Sequence, residues 1–208
     1  LAMRGGAPQG GIVRDSVPRG RMAGQTSRML FANVLWSNRS YAMVRRLIHE
    51  TQPDFIILSE VTKGLLESLR DLRAEYMLSK AVLRRGGFGI LLVSRVPVEH
   101  AEVVRIGRVG LPSLIARLKL QGHWLTVIGT HPLSPMTPRR LRMRNQQLEQ
   151  VAEFVRQQSG PLMLVGDLNT TSWSPVFRDV LRATQLRDSR VGFGLQPSRP
   201  DSLPFLRI

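Results

Sequence analysis

The chain has 208 residues, which suits one large domain better than two, and its 42% apolar and 22% charged residues are ordinary for a globular fold with a sizeable core. It holds no cysteine, which excludes a disulfide framework, a thiolate zinc site and a cysteine nucleophile. Thirty basic residues face fifteen acidic ones, a net charge of +15 that attracts polyanions such as nucleic acid, anionic lipid headgroups and phosphorylated metabolites.

Residues 1–27 read as a flexible basic leader or linker. Glycines, Pro8, Pro18 and four arginines are mixed there without periodicity. Met29 to Trp36 reads as a buried strand. Ser37 and Asn38 are the capping residues of a helix in which Tyr41, Val44, Leu47 and Ile48 recur at helical spacing, and Pro53 ends it. Asp54 to Ser59 is a second buried strand. Thr62 caps a helix carrying Leu65, Leu66, Leu69 and Leu72. Five strand-like runs follow over Met77–Leu83, Phe88–Ser94, Val98–Ile106, Ser113–Leu120 and Trp124–Thr130, separated by glycine and proline turns. Pro138 opens a long helix with Leu141, Leu148, Val151, Ala152 and Val155 on one face. Pro161 to Val165 is another buried strand, and a short helix runs from Pro175 to Arg182. Short turns between the central strands exclude a purely parallel doubly wound sheet, and mixed sheets flanked by helices fit the order. No apolar run approaches the roughly 18 residues of a membrane span, and no signal peptide is visible.

Three of these strands end in polar residues that packing does not require. Glu60 directly follows Phe55–Ser59. A carboxylate there can hold a hard cation, or it can serve as an acid favoured by the dipole of the next helix. His131 closes the run Thr126–Thr130, and Pro132, Pro135 and Pro138 stiffen the loop beyond it. It is either a general acid and charge stabiliser or a packed structural histidine. Gly166-Asp167-Leu168-Asn169 follows Leu162–Val165. Side chains two apart on an extended segment share a face, so Asp167 and Asn169 address one site while Leu168 turns inward; an Asx turn is the other reading. His49, His100 and His123 lack this context and read as surface or packing residues. Of the thirty basic residues, only Lys63, Lys80 and Lys119 are lysines. Arginine grips phosphate with two parallel hydrogen bonds, although codon bias gives the same count.

Asn33 within Phe31–Leu35, then Pro53–Glu60, resembles the opening of the endonuclease/exonuclease/phosphatase superfamily, whose best-known member is pancreatic deoxyribonuclease. Gly87 to Arg95 resembles its central strand ending in Ser-Arg. Gly129-Thr130-His131-Pro132 and Gly166-Asp167-Leu168-Asn169 resemble its two later strand ends. The likeness runs from Met29 to the C-terminus, and it is strongest to a bacterial branch whose domain often follows hydrophobic N-terminal helices.

That resemblance implies an α/β, four-layer sandwich: two mixed β-sheets packed face to face with helices on the outside, over residues 28–208. It implies a hydrolase of phosphate esters using Mg2+ or Mn2+. Glu60 would bind the metal with Asn33 in support, Asp167 would orient or deprotonate the attacking water, Asn169 would hold the phosphate, and His131 would assist the leaving group or the transition-state charge, also touching the phosphate. The family closes on an Asp-His motif, and here Leu203–Ile208 leads into that strand and the sequence stops. The expectation is therefore weak or no turnover from this stretch alone. The implied partner is a phosphate ester, nucleic acid and phospholipid headgroup included, met by a monomer. Membrane association, through a segment before Leu1 or through the Arg-rich leader, is a further expectation. The competing reading is a catalytically incomplete anion- or membrane-surface-binding module on the same fold. Aromatic residues amount to only 6%, which argues against a long base-stacking platform.

Overall fold

The computed structural model describes residues 12–14 and 26–192. Most of the expected leader, and the Asp201 to Ile208 segment, lie outside the described residues. Ten strands, named in chain order, run as β1 Ile12–Arg14, β2 Met29–Asn33, β3 Phe55–Ser59, β4 Met77–Val82, β5 Ile90–Ser94, β6 Val98–Arg105, β7 Pro112–Leu120, β8 His123–Thr130, β9 Leu162–Val165 and β10 Leu186–Asp188. The four α-helices are α1 Tyr41–Thr51, α2 Lys63–Ser68, α3 Pro138–Arg156 and α4 Pro175–Thr184. No helix among the described residues is long and apolar enough to cross a membrane.

The strands form two mixed sheets. One has the order β10-β1-β9-β8-β7-β6 and the other β2-β3-β5-β4. Each contains a parallel pair made by a helical crossover: β2 and β3 through α1, and β8 and β9 through α3. The remaining described pairings are antiparallel. The strand β1 falls within the segment read as leader, so three of those residues are sheet, lying between β9 and β10.

Three apolar clusters define four layers. Phe31, Phe55, Ile57, Ile90 and Leu92 of the smaller sheet meet Leu114, Ala116, Leu118, Val127 and Val165 of the larger one. The outer face of the smaller sheet packs on Val44 and Ile48 of α1 and Leu65 of α2. The outer face of the larger sheet packs on Leu148, Val151 and Val155 of α3 and Phe177 and Val180 of α4. The strand β3 is buried along its whole length because it is covered on both faces, which is why it reads as a continuous apolar run without alternation.

The helices depart from the sequence reading in three details. The leucine-rich helix after Thr62 stops at Ser68 and continues as a 3-10 turn over Arg70–Ala74. The tighter turn keeps Leu69 buried and lets Tyr76 enter the core, where its hydroxyl donates to the Pro53 carbonyl at 2.8 Å. The N-cap of α1 is Ser40, whose side chain makes no capping bond; Asn38 Oδ1 instead accepts from the Ser40 amide. Leu141, expected on the buried face of α3, is 41% exposed. The inward positions of that part of α3 are taken by Arg144 and Gln147.

Candidate functional site

Parallel strands end side by side, so the C-terminal ends of β2 and β3 are adjacent in one sheet and those of β8 and β9 in the other. Face-to-face packing then brings both pairs of ends to one edge of the sandwich. Asn33 is the last residue of β2, Glu60 follows β3, His131 follows β8, and Gly166-Asp167 follows β9. All four helices begin at this edge, since each starts in the connection leaving such a strand end.

Two tight backbone passages hold the edge. A Cβ on Gly166 would sit 1.8 Å from the Thr130 carbonyl oxygen, and a Cβ on Gly89 would sit 2.1 Å from that of Val61. Neither position admits a side chain, so glycine lets neighbouring chains close up just where the polar residues emerge. Glu60 adopts φ 63° and Asn169 φ 51°, left-handed conformations held by their surroundings. On either side of Glu60, the Val34 amide donates to Ser59 O at 3.1 Å and the Val61 amide donates to Gly89 O at 3.3 Å.

The side chains form a closed circuit. Asn33 Nδ2 donates to Glu60 Oε1 at 2.8 Å and to Asp167 Oδ2 at 3.0 Å, joining the two sheets across 134 positions of sequence. Asp167 Oδ1 accepts the Asn169 backbone amide at 3.0 Å, and Asn169 Nδ2 donates to the carbonyl of Pro132, next to His131, at 2.9 Å. His131 Nε2 lies 3.9 Å from Glu60 Oε1, beyond a hydrogen bond but within ionic reach. Glu60 Oε2 accepts from the Trp36 amide at 2.9 Å, and Asn33 Oδ1 accepts from the Leu35 amide at 3.0 Å. The five residues expected from the sequence are thus brought together. His49, His100 and His123 lie exposed elsewhere, as expected.

The electrostatics are unusual for a chain this basic. Among the described residues, neither Glu60 nor Asp167 pairs with a lysine or arginine; the neighbouring ring is that of His131. Two carboxylates therefore share one neutral amide donor at a largely buried edge. Each of their four oxygens accepts one hydrogen bond and keeps a second lone pair. His131 Nδ1 is buried without a partner, as are Ser59 Oγ beside Glu60 and Thr170 Oγ1 beside Asn169. Such a concentration of buried polar atoms leaves room for water or a ligand to complete their hydrogen bonds. An all-oxygen set with uncompensated negative charge suits a hard divalent cation. Among the described residues no group of three or more His, Asp or Glu forms a full protein cage.

Three contributors were not recognised in the sequence. Arg144 is buried on α3, and its Nη1 donates to the Asn169 carbonyl. Burial pulls its pKa below the usual arginine value, yet arginine remains charged at neutral pH. Gln147 Oε1 accepts the Leu133 amide at 3.2 Å, tying the loop after His131 to the same helix. Phe88 sets its ring 5.9 Å from that of His131. The readable signal was a charged residue on an apolar stripe: Arg144 stands four before Leu148 and seven before Val151.

Residues 30–208 match the Endonuclease/Exonuclease/phosphatase family. The chain belongs to that family. No curated protein matches the sequence. Among solved structures, D. rerio TDP2 complexed with single strand DNA product shares 16% identity at a TM-score of 0.63, over 74% of this chain and 64% of that one. Beta toxin 275-280 from Staphylococcus aureus shares 21% at 0.62, over 78% and 73%. Sphingomyelinase C from Streptomyces griseocarneus shares 19% at 0.61, over 77% and 70%. A beta toxin variant, similar at a TM-score of 0.61, carries bound magnesium ions. This family member spans under two thirds of the TDP2 chains it resembles, 63% and 64% of their lengths. At these identities the likeness shows a common fold, the expected four-layer sandwich of two mixed sheets.

Proposed function

We propose that this chain hydrolyses phosphate esters with Mg2+ or Mn2+ at the cluster of Asn33, Glu60, His131, Asp167 and Asn169. The observation that carries the reading is the Asn33 amide bridging the carboxylates of Glu60 and Asp167, which come from different sheets and pair with no lysine or arginine among the described residues. Two carboxylates on one neutral donor repel each other, a cost that a structural role alone does not call for. A bound cation would relieve the repulsion.

Glu60, positioned by Asn33 and the Trp36 amide, is the residue to hold the cation, with Asp167 alongside. When bound, the metal supplies positive charge against the phosphoryl oxygens and makes bound water more acidic. Asp167 is fixed through both oxygens, so its free lone pairs can orient a water and accept its proton. The Asn169 amide nitrogen gives one hydrogen to Pro132 and keeps one for a phosphate oxygen. His131 Nε2 faces the cluster from the other sheet pair and can donate to the developing charge. Both diesters and monoesters fit this chemistry. Single strand DNA product in TDP2 and the name of sphingomyelinase C support nucleic acid and phospholipid headgroups as the substrate classes to test.

The test is hydrolysis of a chromogenic aryl phosphodiester and an aryl phosphomonoester by the natural protein with Mg2+ or Mn2+. Turnover abolished by chelator and by Asp167→Asn is the expected result. A folded protein inert on both esters with either metal overturns the proposal and leaves an anion-binding module as the better account.

A further inference from the structure

We propose that the rim around this site docks on an anionic lipid surface, which rests on the functional reading only in that docking would bring a lipid-borne phosphate ester to Asp167. Large apolar side chains stand exposed on four of the connections at the site edge: Trp36 at 50%, Leu83 at 44%, Met136 at 76% and Trp173 at 58%. They follow β2, β4, β8 and β9 respectively. The end of β4 belongs to the same edge, because Val82 pairs with Ile90, which pairs with Ser59. Trp36 is anchored there by its own amide bond to Glu60. The loops bearing Met136 and Trp173 are tied together by the Asn169 bond to Pro132.

Around the Glu60 and Asp167 carboxylates, the rim of this edge is basic. The segments 34–40, 83–89, 106–112, 131–143 and 168–178 contain no carboxylate. They carry Arg84, Arg85 and Arg108 on one side, and Arg139, Arg140 and Arg142 at the start of α3 on the other. Arg84 and Arg105 both donate to the Gly110 carbonyl, which joins two of these loops. Asp188, at the end of β10, is neutralised by Arg190. Toward the opposite end several arginines are paired with carboxylates, as in Arg46–Glu50, Arg95–Glu75 and Arg117–Glu99.

Apolar tips ringed by arginines that form no ion pair among the described residues match the boundary between anionic headgroups and acyl chains. A single-stranded nucleic acid would instead ask for ring faces along a basic track. Leu83 and Met136 offer no ring face, and the four tips stand on connections from both sheets.

The experiment is co-sedimentation of the full chain with vesicles of phosphatidylcholine alone and with about 30% phosphatidylserine, alongside quenching by brominated acyl chains. The chain has three tryptophans, so Trp124→Phe leaves emission from Trp36 and Trp173 with the rim intact. Binding to the anionic vesicles with bromine quenching in Trp124→Phe is expected. Arg84→Gln with Arg85→Gln should weaken it about 25-fold, near fivefold for each charge. Leu83→Asp with Met136→Asp should weaken it about tenfold or more, with an unchanged circular dichroism spectrum. No vesicle binding, or binding without quenching, overturns the proposal even if the protein hydrolyses soluble esters. Quenching by a single-stranded oligonucleotide without vesicle binding overturns it in favour of nucleic acid.

Discussion

Asn33 commits both hydrogens of one amide nitrogen to two carboxylates, and the consequence is a site under electrostatic tension. Replacing Asp167 by Asn should lower kcat by about 100-fold or more, the usual contribution of a positioned base. The same change removes one of two neighbouring charges, so the thermal midpoint should hold or rise, as functional sites are often bought with stability. A loss of activity accompanied by a fall in midpoint would instead make Asp167 structural. Gly166 sits under a stricter rule. Its missing Cβ leaves the Thr130 carbonyl 1.8 Å from where one would stand. Gly166→Ala should therefore cost about 3 kcal/mol or more by urea unfolding, through strain at β8 and β9. Little of this was hidden at the level of residue types. Glu60, His131, Asp167 and Asn169 were legible because each interrupts or closes an apolar run. The amide bridge was not, since nothing local at Asn33 announces partners 27 and 134 residues away.

The helix α3 does more than cover a sheet. Its N-terminus is capped by Thr137, whose hydroxyl accepts the Arg140 amide at 3.2 Å, with Pro138 in the first turn. Its inner face then holds the Asn169 carbonyl through Arg144 and the Leu133 amide through Gln147. Arg144→Leu should cost about 1–3 kcal/mol for the carbonyl left unsatisfied, and it should raise KM as Asn169 loosens. Arg144→Lys should restore part of both, as read in urea melts and steady-state kinetics. A second element effect depends on pH. Burial, the largest cause, holds the Tyr76 hydroxyl above its ordinary pKa of 10.0, while the guanidinium of Arg95 over the ring opposes it. The unfolded chain then loses its proton first, so stability present below pH 10 declines as pH rises through the folded value. Tyr76→Phe should flatten that alkaline decline in thermal melts across pH 8 to 11, a window set about the ordinary tyrosine value.

At the scale of the whole molecule, the sandwich gains its cohesion between the sheets. Ile57 and Leu114 are fully buried on facing sheets, and truncating either to alanine should cost about 2–5 kcal/mol. The net charge of +15 works the other way, through self-repulsion. Raising salt from about 0.01 M to about 0.15 M shortens the screening length from roughly 30 Å to roughly 8 Å, and the thermal midpoint should rise with it. A midpoint that falls with salt would mean that surface ion pairs outweigh the repulsion.

By itself, the sequence determined the run of strands and helices from Met29 to Arg182, the mixed character of the sheets, and the strand ends that carry polar groups. Those signals are local: apolar period, turn residues, caps and the length of each connection. Tertiary structure alone decided three things. It placed Ile12–Arg14 between β9 and β10, a pairing that three residues cannot signal because a strand that short has no period. It turned Arg144 inward, against the preference of a charge for water, because a buried carbonyl at Asn169 accepts it. And it brought Asn33 to Asp167 by packing one sheet on the other, since the reach of a hydrogen bond across two sheets depends on how the layers meet and not on any residue taken in order.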